Sequence, residues 1–562
     1  MFVKSNKNER NGKVWYTHHI VHSYRDENGD PRHDYIANLT GLPEDVIDRI
    51  RPAVKGETPP CDFDEISVRQ GDCLRGAGQM AIWRAWRKTG MEKALAGLSE
   101  ARRRSVFAMA CGRITDPCSK LALKQECADT FWARRFPANR LDEDELYEVL
   151  DQVAEHFYPI QERLADGREE APVLLLYDTT STYFEGQQAE GGEYGLSKDG
   201  RWDRYQIIVA LVCDGEGCPL AVEVWPGNTQ DATTVQAQIQ MLRERFGIQR
   251  GIFVADGGMY SEANLDYVTQ QGLDYIVGLE WHKKRELLEG LSSGQQDLFA
   301  EEGVYEWEEG GVRYVGCYSE RQQHRDSTRR AEAMQVAEEE LSHLRRTAAK
   351  GRYYSRDKLV EKVMGLLDSK GLRALWNVTV EPLEGQREAA QQGEKVLLDL
   401  QFSRNDVEIK RREAMEGRYV VATTVEEGRM GPEQVLGSYK GLQRVERGFR
   451  HMKSFLRIRP IYHRLSRRIR AHVLICFLAY YLTWWMGQEL RREGIHTEVE
   501  TLIRRWDQLL LSETTVEAGE HSRREWQWSL GERGQQIKQQ IQEADIWKSI
   551  DAYKRSACNS LE

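Results

Sequence analysis

The clearest alternation of apolar and polar positions lies between residues 172 and 282. Apolar runs predict strands over 173–177, 205–213, 219–225, 251–255 and 274–279. The turn Asp214-Gly215-Glu216-Gly217 joins the second and third of these as a hairpin. Between the third and fourth, Val235, Ile239, Leu242 and Phe246 share one helical face, with Asp231 at its acidic start and Gly247 as its stop. A second helix is expected over 261–271. A meander followed by helix, strand, helix, strand gives a mixed sheet with helices on its faces, an α/β fold. In that topology the first and fourth strands lie side by side and parallel. Asp178 and Asp256, which follow them, then end adjacent strands at one sheet edge.

On either side the pattern is different. Residues 1–60 alternate around the turn Asp26-Glu27-Asn28-Gly29-Asp30-Pro31, which predicts a small β-hairpin unit and a short helix after Leu42-Pro43. Residues 61–170 read as helical and partly basic, a pattern that suits a DNA-binding region and an ordinary helical domain equally. The catalytic fold is expected over 171–285, interrupted by an insertion over 286–420 and resumed over 421–490. Within the insertion, Ala331, Met334, Ala337, Leu341 and Leu344 have helical spacing, whereas 376–380 and 419–423 are β-type runs. The tail, 491–562, reads as polar and helical.

A chain of 562 residues exceeds what one core can organise. With 40% hydrophobic and 30% charged residues it reads as soluble and globular. Its net charge of −10 argues against non-specific nucleic-acid binding, but the average conceals a basic stretch. From Lys440 to Arg470 there are eleven Lys or Arg and one acid, Glu446. The ten cysteines include no C-x2-C pair, and the N-terminus lacks an apolar signal region. The most apolar stretch, 473–486, is short for a membrane span and fits a buried core helix. These features point to a reduced, cytoplasmic protein.

Glu446 completes a set of three acids. One helix is expected from Tyr439 to Leu456, with Leu442, Val445, Phe449, Met452 and Leu456 as its buried stripe. Tyr439, Glu446 and Lys453 stand seven residues apart, so each step drifts only about 20° around such a helix. A phenol, a carboxylate and an ammonium would line one edge of the stripe, with Arg450 beside them. Carboxylates on two strands and one helix suit two hard divalent cations, the requirement of two-metal phosphodiester chemistry. Small residues follow both aspartates, Thr179-Thr180-Ser181 and Gly257-Gly258, which leaves room for a metal and a phosphate.

The set Tyr177-Asp178-Thr179-Thr180, Val254-Ala255-Asp256-Gly257-Gly258-Met259 and Tyr439…Glu446…Lys453 resembles bacterial insertion-sequence transposases of the DDE type. More narrowly, it is similar to the branch with a Y-x2-R-x3-E-x6-K signature, an RNase H-like core and a β-rich insertion before the glutamate. The resemblance runs over roughly residues 10–490. It departs at Leu442, where the signature has arginine; Arg444 or Arg450 is left to supply that cation.

The resemblance implies strand cleavage at transposon ends and transfer of the 3′ end to target DNA. It also implies two Mg²⁺ or Mn²⁺ ions held by Asp178, Asp256 and Glu446, and a homodimer bridging two ends of double-stranded DNA. Tyr439, Arg444, Arg450 and Lys453 would contact the DNA. In the named branch a hairpin intermediate carries a flipped base. Trp281, Trp307 and Trp376 are then candidates to stack it. A catalytically silent DNA-binding descendant would keep the same fold, but the presence of all three acids weighs against it.

Overall fold

The computed structural model describes residues 1–10, 13–26, 28–56, 66–128, 130, 142–168, 171–290, 302–351, 355–369, 371–386, 396–518 and 521–529. The chain divides into two compact units. One comprises Met1–Ala171, Thr179–Thr229 and Arg444–Glu562; the other comprises Pro172–Asp178 and Gln230–Gln443.

In the first unit, β1 (Phe2–Arg10), β2 (Lys13–Arg25) and β3 (Pro31–Asn38) form an antiparallel sheet, one strand more than a hairpin. Pro43 caps the helix Glu44–Val54 as the Leu42-Pro43 signal predicts. Val3, Ala37, Leu39, Leu42, Ile47 and Ile50 give this module its own core. The region expected to be helical begins instead with a strand, β4 (Ile66–Arg75). Helices Ala77–Lys88, Glu100–Thr115, Glu143–Glu155 and Phe157–Asp166 follow. Next come β5 (Leu174–Tyr183), β6 (Gln206–Cys213) and β7 (Pro219–Pro226), with β6 and β7 joined as the predicted hairpin. β5 is longer than its apolar run. It continues through Thr179-Thr180-Ser181, so Asp178 lies within the strand and not at its end.

The second unit holds the first half of β5 and the strands β8 (Ile252–Ala255), β9 (Asp274–Gly278), β10 (Gly303–Glu309), β11 (Val312–Tyr318), β12 (Trp376–Pro382), β13 (Leu398–Arg404) and β14 (Arg418–Thr423). Its sheet has the order β10-β11-β14-β9-β8-β5, with β5, β8 and β9 mutually parallel. Helices Asp231–Phe246 and Glu262–Gln270 make the expected crossovers. A meander followed by parallel strands with crossover helices is the RNase H-like connectivity. The insertion expected over 286–420 is narrower in the structure, because β10, β11 and β14 extend this sheet. Between β11 and β14, the helices Glu320–Ala349 and Arg356–Ser369 pack on the separate β12–β13 pair. Met334, Ala337, Leu341, Leu344, Leu359 and Val363 are among the residues of its separate core.

The single helix expected from Tyr439 to Leu456 is two helices, Pro432–Lys440 and Leu442–Ser454, which meet at Gly441. Glycine is the weakest helix former after proline, and its neighbours decide whether a helix runs through it. The apolar stripe is confirmed, with Leu442, Val445, Phe449, Met452 and Leu456 all buried. Beyond it the helix Ser466–Arg492 runs for 27 residues, nearly twice the apolar stretch seen in the sequence. It is long and apolar enough to cross a membrane, yet 83% of its most apolar window is buried inside the protein. Helices Glu100–Thr115 and Glu143–Glu155 and strand β7 pack on it, which makes it the central core helix of the first unit.

The tail expected to be helical contains one helix, Val499–Trp506, then β15 (Leu510–Ala518) and β16 (His521–Ser529). β15 pairs with β16 on one side and with β4 on the other. That second partner lies far upstream, so no local pattern in the tail announces it. Residues 530–562 of the expected tail lie outside the described residues.

Candidate functional site

Asp178 and Asp256 are brought together by strand register. Parallel pairing matches Leu174 with Ile252, Leu175 with Phe253 and Leu176 with Val254. Asp178 and Asp256 each follow the last of these pairs by two residues, Asp178 still within β5 and Asp256 just past the end of β8. Both carboxylates are partly exposed, whereas the runs that precede them, 175–177 and 251–255, are buried. The two acids therefore follow the paired, buried parts of two adjacent strands.

The positions of both are tied down. Tyr177, beside Asp178, is fully buried, with its hydroxyl 2.6 Å from Thr234 Oγ1. Thr234 Oγ1 is also 2.6 Å from the Asp231 carbonyl, which can only accept. Thr234 therefore donates to Asp231 and accepts from Tyr177. This fixes the first turn of helix Asp231–Phe246 to β5. Asp256 caps a short 3₁₀ turn, Gly257–Met259, by accepting from the Gly258 amide at 3.1 Å. A Cβ at Gly257 would lie 3.1–3.2 Å from the backbone of Leu279 and Glu280, so any larger residue would make this turn or the end of β9 give by a few tenths of an ångström. Buried Asn264 holds the turn from behind, donating to the carbonyls of Met259 and Ala232 at 3.1 and 2.8 Å. Sequence reasoning missed Thr234 and Asn264, because nothing local marks a buried side chain that bridges two backbone segments.

Tyr439 is half-buried and stacks on Tyr419 with ring centroids 6.4 Å apart. Its phenol lies over Gly278 at the end of β9, so closely that a Cβ there would overlap it. Tyr439 is thus carried on the helix Pro432–Lys440 in the second unit. Glu446 and Lys453 are carried on Leu442–Ser454 in the first. The seven-residue line of Tyr439, Glu446 and Lys453 is therefore not a feature of one helix.

Glu446 and Arg450 are exposed. Arg444 reaches the Gly215 carbonyl in the β6–β7 turn, so its guanidinium holds protein backbone in this structure. Leu442, at the signature's arginine position, is buried in the stripe. Lys453 is not turned to solvent as a bare phosphate ligand would be. Its Nζ donates to Thr180 Oγ1 at 2.7 Å and to Asp199 Oδ1 at 2.8 Å. Burial lowers the Lys453 pKa from its ordinary value, and the Asp199 carboxylate opposes that shift.

Three histidines in the first unit are pushed to the neutral form by burial. The His451 pKa is lowered to about 4. That of His463 falls to about 3, with the Lys120, Arg113 and Arg468 charges adding to burial. His472, whose Nε2 is 2.9 Å from the Ile458 carbonyl, is also held well below the ordinary value.

Among the described residues no group of three or more His, Cys, Asp or Glu side chains is gathered to hold a metal ion. The Asp178–Asp256 pair does fit a hard divalent cation in its chemistry. It offers hard carboxylate oxygens just past two paired strands, with Gly257 and Gly258 presenting no side chain beside Asp256.

Asp178 within β5 and Asp256 just past the end of β8 thus follow paired neighbouring strands of a mixed sheet flanked by helices. The family model for the transposase DDE domain matches residues 169–482, and the chain belongs to the DDE transposases. Its residues 3–63 are similar to the N-terminal domain of IS1634 family transposases. No curated protein matches the chain. A solved piggyBac transposase synaptic complex with hairpin DNA is similar over 73% of this chain and 70% of that one, at 10% identity and a TM-score of 0.37. As a DDE transposase the chain is a metal-dependent enzyme that cleaves DNA strands and transfers them.

Proposed function

We propose that Asp178, Asp256 and Glu446 are the catalytic carboxylates and that they hold two Mg²⁺ or Mn²⁺ ions for cleavage and strand transfer at insertion-sequence ends. The parallel pairing of β5 with β8 supports this reading, since Asp178 and Asp256 each stand two residues past its last matched pair. The cations, when bound, would acidify the attacking water or 3′-hydroxyl and stabilise the leaving oxygen. The chain's own part is positional. Tyr177, Thr234 and Asn264 hold the two aspartates against thermal drift. Tyr439 and Lys453 contact phosphates near the cut, and exposed Arg450, rather than occupied Arg444, takes the role of the missing signature arginine.

Among the tryptophans, Trp307 and Trp376 are 7% and 6% exposed, so neither offers a ring to a base without opening its core. Trp281 is partly exposed, with the Arg285 and Arg412 guanidiniums 4.9 and 5.3 Å from its ring. It is the candidate to stack a flipped base. Two protomers bridge the two ends of the element, in the cytoplasm where its DNA lies. The test is a nicking and strand-transfer assay with Glu446→Gln. Retained DNA binding with nicking lost in both Mg²⁺ and Mn²⁺ supports the assignment; undiminished nicking removes Glu446 from the site.

A further inference from the structure

The loop after β5 turns back onto the strand it has just left. Lys198 Nζ donates to the carbonyl and hydroxyl of Thr179 at 2.9 and 3.0 Å, and the Lys198 amide donates to Ser181 Oγ at 2.8 Å. The next residue, Asp199, points inward, and its side chain is only 3% exposed. Its Oδ1 lies 2.8 Å from Lys453 Nζ and 3.4 Å from Arg459 Nη2. Lys453 Nζ also meets the Thr180 hydroxyl at 2.7 Å. An ammonium and a guanidinium therefore meet at one carboxylate oxygen, and the Thr180 hydroxyl accepts from the same ammonium.

The other oxygen is poorly served. Asp199 Oδ2 is buried and has no hydrogen-bond partner among the described residues. A buried acceptor left unmet loses its hydration with nothing in return. Asp199 is also the acid that both Lys453 and Arg459 pair with. Neutralising those two cations makes it necessary, yet half of it is unsatisfied. A phosphate suits the two cations better, because its several oxygens can meet both at once and still accept further bonds.

We infer that Lys453, Arg459 and Thr180 form a pocket for a DNA backbone phosphate, that Asp199 fills it in the DNA-free protein, and that DNA binding expels the Asp199 side chain. This rests on the reading of Lys453 as a DNA contact. The loop can yield without emptying a core, since its large apolar side chains Tyr194, Leu196 and Trp202 are already 52%, 72% and 62% exposed. An internal carboxylate in a phosphate pocket weakens binding to any DNA by the free energy needed to expel it.

The experiment is fluorescence anisotropy of the full chain on a labelled duplex carrying the DNA that flanks its gene, with Ca²⁺ present and salt varied. Asp199→Asn is expected to bind about tenfold more tightly, the worth of roughly 1.4 kcal/mol. Its log–log salt slope should steepen by about one, as one more cation becomes available to a phosphate. Lys453→Ala and Arg459→Ala should each weaken binding. In wild type, hydrogen exchange of residues 196–203 should rise on adding DNA, which holds whether or not Asp199→Asn folds. Weakened binding by folded Asp199→Asn makes Asp199 a support for Lys453 and overturns the exchange. Unchanged exchange of 196–203 on DNA binding overturns it as well. Unaltered binding by Lys453→Ala removes the underlying reading of Lys453 instead.

Discussion

Asp178 and Asp256 each stand two residues past Leu176 and Val254, the last matched pair of the parallel strands β5 and β8, and a buried side chain fixes the backbone beside each. For Asp178 the anchor is the Tyr177 hydroxyl, which donates into Thr234 and ties β5 to the first turn of helix Asp231–Phe246. Tyr177→Phe deletes that bond without opening a cavity. Thermal unfolding should show a loss of about 1 kcal/mol, the worth of one buried hydrogen bond. The Mg²⁺ concentration needed for half-maximal cleavage should rise at the same time. A stability loss with unaltered Mg²⁺ dependence would show that the bond is structural only.

Gly278 is the close-approach point for Tyr439. A methyl group there overlaps the phenol, so Gly278→Ala must push Tyr439 off its seat or distort the end of β9. Overpacking of this kind costs about 1–3 kcal/mol. DNA cleavage should fall by more with Gly278→Ala than with Tyr439→Phe, because the former displaces the whole ring and the latter removes only its hydroxyl. Equal stability loss with full cleavage by Gly278→Ala would place Tyr439 outside the reaction.

Much of this site can be read from the chain, and the reasons that the rest cannot are physical. Apolar runs bounded by turn signals located β5, β6, β7, β8 and β9, because strands buried on both faces write themselves as continuous hydrophobic segments. The adjacency of Asp178 and Asp256 followed from the topology those runs imply. Spacing alone could not show that the helix breaks at Gly441, which separates Tyr439 from Glu446 and Lys453. Nor could it show that Lys453 is paired, since Asp199 comes from a loop more than two hundred residues earlier in the chain. The β4–β15 pairing was hidden for the same reason. Contacts between distant segments are fixed by tertiary packing, and no local window records them.

Acid should destabilise the protein early. His451, His463 and His472 have folded-state pKa values lowered from 6.5 by burial, to about 4 for His451 and about 3 for His463. An unfolded chain binds these protons more readily, so the stability is complete above pH 6.5 and is lost as pH falls through the window down to the folded values. Each histidine contributes a slope approaching about 1.4 kcal/mol per pH unit inside that window. Melting temperature measured from pH 7.5 to 4.5 should drop steeply below 6.5, and His451→Gln should make the drop shallower. A flat profile across that range would mean that these imidazoles are protonated in the fold.

The most direct measurement is Mg²⁺-dependent cleavage of duplex DNA bearing the element's end, comparing wild type with Asp178→Asn and Asp256→Asn. Wild type should nick the end with Mg²⁺ or Mn²⁺, and Ca²⁺, with its looser geometry, should support binding with little turnover. Each asparagine variant should bind the duplex as wild type does, melt within a few degrees of it and show no nicking. Cleavage retained by either folded variant, or cleavage by wild type without any divalent cation, would contradict the assignment of this aspartate pair.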